Sequence, residues 1–262
     1  MSVTAYLKNR AKSALRPIVP PGYRLRRSGE SFLAGGEREV KLLPTLVKPG
    51  TIALDVGANI GDYCYAIAKL IGTGHIYAFE PLPTSADFLR RAVRALHLPV
   101  TVLNIALSDS DGHADLLVPQ GDGTLRQGFA SLERTTVQAG QTFRVPKQRL
   151  DAISEQFPGP ISFIKIDVEG HEPAVLRGAA ETIKRHRPNL LIEIEARHSP
   201  VPLKQTIQQV LDLGYQCQFL DENRNLAPIE QFNQPRHQPA TGDHANTAES
   251  YYVSNFIFTP RA

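Results

Sequence analysis

The stretch TIALDVGANIGDYCY, Thr51 to Tyr65, decides how the chain is read. It packs an apolar run, one acid, two glycines and the start of a second apolar periodicity into a single short segment. Thr51–Val56 reads as a buried strand. From Asp62 the apolar residues recur at helical spacing, so the glycines mark a sharp strand-to-helix turn. Gly57 and Gly61 remove side chains that would hold a ligand off the backbone. The helix beyond them offers free N–H groups and the positive end of its dipole to an acidic group. Dinucleotide binders need G-x-G-x-x-G, and Asn59 stands where the middle glycine belongs. The spacing therefore argues against a nicotinamide-type cofactor.

Outward from this turn the chain alternates. HIYAFEP (75–81), VTVLNIALS (100–108), ISFIKIDVEG (161–170) and NLLIEIE (189–195) read as strands. PTSADFLRRAVRALHL (83–98), EPAVLRGAAETIKRH (172–186) and LKQTIQQVLDLG (203–214) read as helices. That alternation predicts an α/β fold, a doubly wound Rossmann-like sheet that is mostly parallel. YQCQFLDE (215–222) and SNFIFTP (254–260) have no convincing helix between them and predict a C-terminal antiparallel hairpin. The segments 109–149 and 222–252 have few apolar anchors and are expected to be lids. Residues 49–262 are expected to form the main domain. Residues 1–48 read as a short N-terminal helical extension: a helix over Val3–Leu15, a break at RPIVPPG, and a second helical stretch over 36–47.

The 42% apolar and 21% charged composition is that of a globular chain rather than a disordered one. Its net charge of +3 is unevenly spread: Lys8, Arg10, Lys12, Arg16, Arg24, Arg26 and Arg27 all precede the first acid, Glu30. Such an arm fits either a solvated face or contact with anionic partners, and peripheral membrane contact through residues 1–27 is one expectation. Cys64 and Cys217 give neither a disulfide framework nor metal-ligand spacing, and no apolar run is long enough for a membrane span. A cytoplasmic enzyme is expected, with its oligomeric state left open.

An acid two positions before the first glycine, followed by G-x-N-x-G, resembles the first motif of class I S-adenosylmethionine methyltransferases. DVGANIG, AFEP, NIALSDSDG and IKIDVEGHEPAVLRGA occur in order at strand ends, and together they resemble the FkbM-type methyltransferases from about Thr51 to about Asp221. The resemblance implies S-adenosylmethionine as cofactor and O-methylation of a sugar or polyketide hydroxyl. It implies a cradle of Asp55, Gly57, Ala58, Asn59 and Gly61, with Asp55 toward the methionine ammonium group. Glu80, followed by Pro81, ends the second strand, where a carboxylate can accept from both ribose hydroxyls. Asn104, Ala106 and Leu107 are expected beside the adenine.

Along ISFIKIDV the side chains of Lys165 and Asp167 share one face, as do Glu193 and Glu195 along LLIEIE. Neighbouring strands would then place Asp167 near Glu195 at the ligand end. Lys165 and Glu193 would form an ion pair one layer deeper, since an unpaired buried charge is strongly destabilising. Asp167, His171 and Glu195 are the expected catalytic residues. Either Asp167 or His171 takes the acceptor's proton, or Asp167 and Glu195 hold Mg²⁺ or another divalent cation that lowers the hydroxyl pKa. Ala196 stands where metal-dependent relatives of this fold place a third oxygen ligand.

The expected partner is a small-molecule or glycan acceptor, lipid-linked or phosphorylated forms included. Nucleic acid is disfavoured, because DVEG rather than an aromatic tetrapeptide follows the fourth strand. The competing readings are a nucleotide-linked oxidoreductase and a non-catalytic binding protein of the same fold.

Overall fold

The structure, a computed structural model, describes residues 19–121, 124–133, 140–239 and 251–261. The helix expected over Val3–Leu15 lies outside the described residues. Strands β1 (Ile52–Val56), β2 (His75–Phe79) and β3 (Val100–Leu103) come first, then β4 (Ala106–Leu107), β5 (Gly112–Gly121), β6 (Thr124–Leu125) and β7 (Gly140–Gln148). β8 (Ile161–Ile166), β9 (Asn189–Glu193), β10 (Tyr215–Leu220), β11 (Leu226–Pro228) and β12 (Asn255–Pro260) follow.

Eight of these strands form one sheet in the order β11-β10-β12-β9-β8-β1-β2-β3. From β3 to β9 every pair is parallel, and β12 runs antiparallel between β9 and β10. This is the doubly wound fold with the expected antiparallel C-terminal strands. The chain winds outward from β1 to β3, then returns to lay β8 on the other side of β1. A crevice therefore opens at the carboxyl ends of β1 and β8.

Helices cover both faces, which is why β1 and β8 are buried along their whole length. One face packs Val175, Ile183, Ile207 and Val210 against Leu54 and Ile164, and the other packs Leu25, Tyr65, Ile67 and Leu89 against Ala53 and Phe163. Each large apolar side chain buried there contributes about 1.5–3 kcal/mol.

The N-terminal segment differs from expectation. Within the stretch read as a break, Pro21 begins a helix, Pro21–Gly35. Pro21 occupies the first helical position, where its missing N–H would have had no partner and its fixed φ suits the helix. This helix buries Gly22, Leu25 and Gly29 at three- and four-residue spacing. Gly29 is required by close approach, since a Cβ there would lie 2.3 Å from the Tyr65 ring. The stretch read as helical over 36–47 is a 3₁₀ turn, Arg38–Leu42, continuing into a short helix, Leu43–Leu46.

The polar segment 109–149 also has more structure than a lid loop. β5 pairs antiparallel with β7 from Gly112↔Lys147 to Pro119↔Gly140, and β4 and β6 extend the pair to a small second sheet. Leu116, Val118 and Val145 on its inner face pack on Leu82 and Ala106. Its alternation is short and flanked by Gly and Pro, so it reads as a loop until the neighbouring Leu82 supplies something to bury it against. In 222–252, β11, the helix Gln234–His237 and a 3₁₀ turn, Ile229–Gln231, add order that the polar composition concealed. Among the described residues, no helix is long and apolar enough to cross a membrane.

Candidate functional site

The site is built on the turns that leave β1, β2 and β8. Gly57 has φ +85°, and a Cβ there would fall 1.8 Å from the Asp167 carbonyl oxygen, so the exits of β1 and β8 touch backbone to backbone. Asn59 is also left-handed, at φ 46°. Its N–H donates to Glu80 Oε2 at 2.7 Å, while Glu80 Oε1 accepts from the N–H of Leu82 at 2.8 Å. Glu80 thus ties the glycine turn to the end of β2, and burial pushes its carboxyl up to about 7. Asn104 donates through Nδ2 to the carbonyls of Glu80 and Pro81, both at 2.8 Å. It fastens that turn from behind and lines neither pocket described next, whereas Ala106 and Leu107, expected with it beside the adenine, line the first.

Two pockets meet at Gly57, Asn59 and Asp167. The first lies under the small sheet and is lined by Glu80, Pro81, Ala106, Leu107, Glu169 and His171, with Gln127–Gly128 opposite. The second, about 450 Å³, is lined by Asp55, Ala58, Gly61, Asp62, Lys165 and Glu37. Four carboxylates, those of Glu37, Asp55, Asp62 and Asp167, face one ammonium there. Asp62 Oδ1 is buried with no hydrogen-bond partner among the described residues. An unpaired buried acceptor in an acid-rich pocket suits a cationic amino group. The apolar floor of Ala106 and Leu107 beside Glu80 suits a base with its ribose. The residues present therefore fit S-adenosylmethionine, its methionine end in the second pocket and its adenosine in the first.

Asp55 is 2% exposed. Burial pushes its carboxyl up to about 6, against the Cys64 thiol that donates to Oδ2 at 3.0 Å and the charge of Lys165. Lys165 is the hub of the deeper layer. Its Nζ donates to Asn255 Oδ1 at 2.8 Å and lies 3.9 Å from both Asp167 Oδ2 and Glu193 Oε2. Burial alone would lower its pKa, but Asp167, Glu37, Glu193 and Asp55 outweigh that and raise it. The expected Lys165–Glu193 pair forms, yet the layering differs. Ile166 pairs with Ile192, which sets Asp167 level with Glu193 rather than Glu195. A two-residue shift leaves every side chain on its own face, so alternation could not fix it.

Glu195 lies one layer further out and lines neither pocket. It pairs with Arg197, and His198 Nδ1 sits 3.5 Å from it and 2.8 Å from Glu169 Oε2. The Glu169 contact raises the His198 pKa, while burial raises that of Glu169. Among the described residues, no three His, Cys, Asp or Glu side chains converge as a metal-ligand group, so Asp167 and Glu195 find no third ligand. His171 reaches the first pocket with both ring nitrogens engaged: Nδ1 with Glu133 Oε1 at 2.7 Å, Nε2 with Ser108 Oγ at 3.0 Å. Ser131 Oγ donates to the Glu169 carbonyl at 2.6 Å, so the segment after β6 is stitched onto the β8 turn. Glu172 shapes that turn, its Oε1 accepting from the N–H groups of Val168 and Gly170 at 3.1 Å each.

Several residues of the site escaped the sequence reading. Glu37 Oε2 accepts from Tyr63 Oη at 2.5 Å and from Asn255 Nδ2 at 3.0 Å, joining three distant segments. A polar Asn255 at the start of the apolar NFIF was the one available signal. Gln127, Gly128 and Glu133 carried none, because nothing local distinguishes them from loop residues.

The sequence profile of the methyltransferase FkbM domain matches residues 55–218. The chain is 29% identical over 158 residues to the 2-O-methyltransferase NoeI of Sinorhizobium fredii, covering 56% of this chain and 65% of the relative. It is 26% identical over 179 residues to the hexuronic acid methyltransferase AglP of Haloferax volcanii, covering 64% and 66%. The chain thus spans just under two thirds of these relatives' lengths. The crystal structure of a methyltransferase FkbM from Methylobacillus flagellatus superposes with a TM-score of 0.50 at 16% identity, covering 84% of this chain and 50% of that one. With its doubly wound sheet and a domain match running from Asp55 at the glycine turn to Gln218 in β10, the chain belongs to the FkbM methyltransferase family.

Proposed function

We propose that this chain is an S-adenosylmethionine-dependent O-methyltransferase acting on a hydroxyl of a sugar within a glycan or natural product. The observation that carries the reading is the pair of connected pockets at the ends of β1, β2 and β8, acid-rich at one end and apolar with Glu80 at the other. The names of the two curated relatives, a 2-O-methyltransferase and a hexuronic acid methyltransferase, support a sugar acceptor. Two buried free thiols suit a reducing compartment, so we place the protein in the cytoplasm.

When bound, the cofactor supplies a methyl group on a positively charged sulfur. Asp55 and Asp62 would hold its amino group, and Glu80 would accept from the ribose hydroxyls. Asp167 faces both pockets with its side chain 30% exposed, which puts a carboxylate within reach of an entering hydroxyl. It would take the acceptor's proton while the hydroxyl oxygen accepts the methyl group that the cofactor supplies. A general base at that point adds typically ~10²–10⁴-fold to the rate. Lys165 steadies the Asp167 carboxylate. His171, with both nitrogens engaged, positions the small sheet over the first pocket, and Glu195 anchors Arg197 and His198 behind it. Calorimetric titration of S-adenosylmethionine, and separately of NAD, tests the reading. Binding of the first that disappears in Asp55→Ala and Glu80→Ala supports it; binding of NAD alone overturns it.

A further inference from the structure

The helix Pro21–Gly35 presents a second face that the proposed reaction does not use. Leu25 and Gly29 point into the core, while Tyr23, Arg24, Arg27 and Ser31 recur at near-helical spacing on the side lining an open groove of about 810 Å³. That size falls within the ~300–1,000 Å³ of a small-molecule site. Two features speak to its chemistry. The Arg24 guanidinium lies over the Phe88 ring, 4.5 Å from its centroid, so its charge is held flat against the groove wall. Tyr23 is 59% exposed, an aromatic face open to stacking. The groove also shares Phe32, Ile60 and Asp62 with the acid-rich pocket, so it leads directly to the glycine turn.

We infer that this groove is the acceptor's binding site and that it selects a sugar carrying an anion, a uronate carboxylate or a phosphate, through Arg24 and Arg27 with Tyr23 stacked on a ring. The inference rests on the methyltransferase reading for the identity of the bound sugar as acceptor. Guanidinium groups pair with carboxylate and phosphate through two parallel hydrogen bonds, which neutral sugars cannot match.

The test uses three probes titrated into the full chain, with and without S-adenosylhomocysteine: p-nitrophenyl β-glucuronide, p-nitrophenyl β-glucoside and glucose 6-phosphate. Saturation-transfer NMR reads the weak affinities. One or other anionic sugar is expected to bind about tenfold tighter than the glucoside, the worth of one charge-assisted hydrogen bond. Arg27→Glu should erase that preference and Arg27→Lys restore part of it, both leaving S-adenosylhomocysteine affinity unchanged. Tyr23→Ala should weaken both glycosides alike. A glucuronide preference marks a uronate acceptor and a glucose 6-phosphate preference a phosphorylated one, either supporting the inference. Equal affinity for all three, or a preference that survives Arg27→Glu, overturns it. Failure of the protein to bind S-adenosylmethionine sinks the methyltransferase reading instead, and the sugar titrations, which need no cofactor, still decide the groove.

Discussion

Lys165 donates to the side-chain oxygen of Asn255 at 2.8 Å, across a sequence separation of 90 residues. That bond places the one buried ammonium of the site on β8 under the control of β12. Asp55, Asp167 and Glu193 depend on the same ammonium for compensation. Lys165→Met should therefore cost on the order of 3–5 kcal/mol, because it leaves buried carboxylates uncompensated. Asn255→Leu should cost about 1–3 kcal/mol. Urea unfolding of both variants and of their combination checks this, and the two effects should not add, since they share one network.

The pH dependence follows from Asp55 and Glu80, whose carboxyls burial pushes up to about 6 and about 7. A raised pKa means that the folded state holds protons the unfolded state has released. Stability without ligand is thus full below about pH 4 and falls as pH rises to about 7, by on the order of 3 kcal/mol per group. Glu80→Gln, which carries no charge to desolvate, should flatten this decline. Melting temperatures measured at about pH 5 and about pH 8 for wild type and variant make the comparison. Cofactor affinity should move the opposite way, rising over the same range as Asp55 ionises beside the amino group.

Gly57→Ala should be among the most damaging single changes. The added methyl would occupy the space of the Asp167 carbonyl oxygen, and Gly57 sits at a φ that only glycine adopts without strain. A loss of about 2 kcal/mol or more in stability is expected, with S-adenosylmethionine binding abolished even where the variant folds. A variant that binds with unchanged affinity would show that the two strand exits separate on binding.

His171 separates a positioning role from a chemical one. Held between Glu133 and Ser108, it should respond like Glu133 when removed. His171→Ala and Glu133→Ala are both expected to weaken cofactor binding while lowering kcat less than about tenfold. A fall of ~10²–10⁴-fold confined to His171→Ala would instead make it the base.

Neither thiol should react in the folded protein. Cys64 is fully buried, and burial together with Asp55 raises its pKa well above the ordinary range; burial does the same for Cys217. Ellman's reagent should label both only after unfolding, because the thiolate is the reactive form.

The parallel sheet, the glycine turn and the acids at the strand ends are legible in the sequence alone. Each of these is a local pattern: a buried run, a period, a residue with no Cβ. Asp55, Glu80 and Asp167 also stand at strand ends in the sequence, and the structure brings them to the two connected pockets, because strand ends converge in a doubly wound sheet. Which acids stand level with one another follows from strand register alone. The register of β9 against β8 brought Glu193, not Glu195, beside Asp167, and a shift of two residues leaves no trace in hydrophobic alternation. The same holds for Glu37, Asn255 and Glu133, whose partners lie 26 to 218 residues away and whose roles exist only once those segments meet. The helix Pro21–Gly35 falls between the two cases. Pro21 can end one helix or begin another, and burial of Leu25 and Gly29 against the sheet-covering helices settled which.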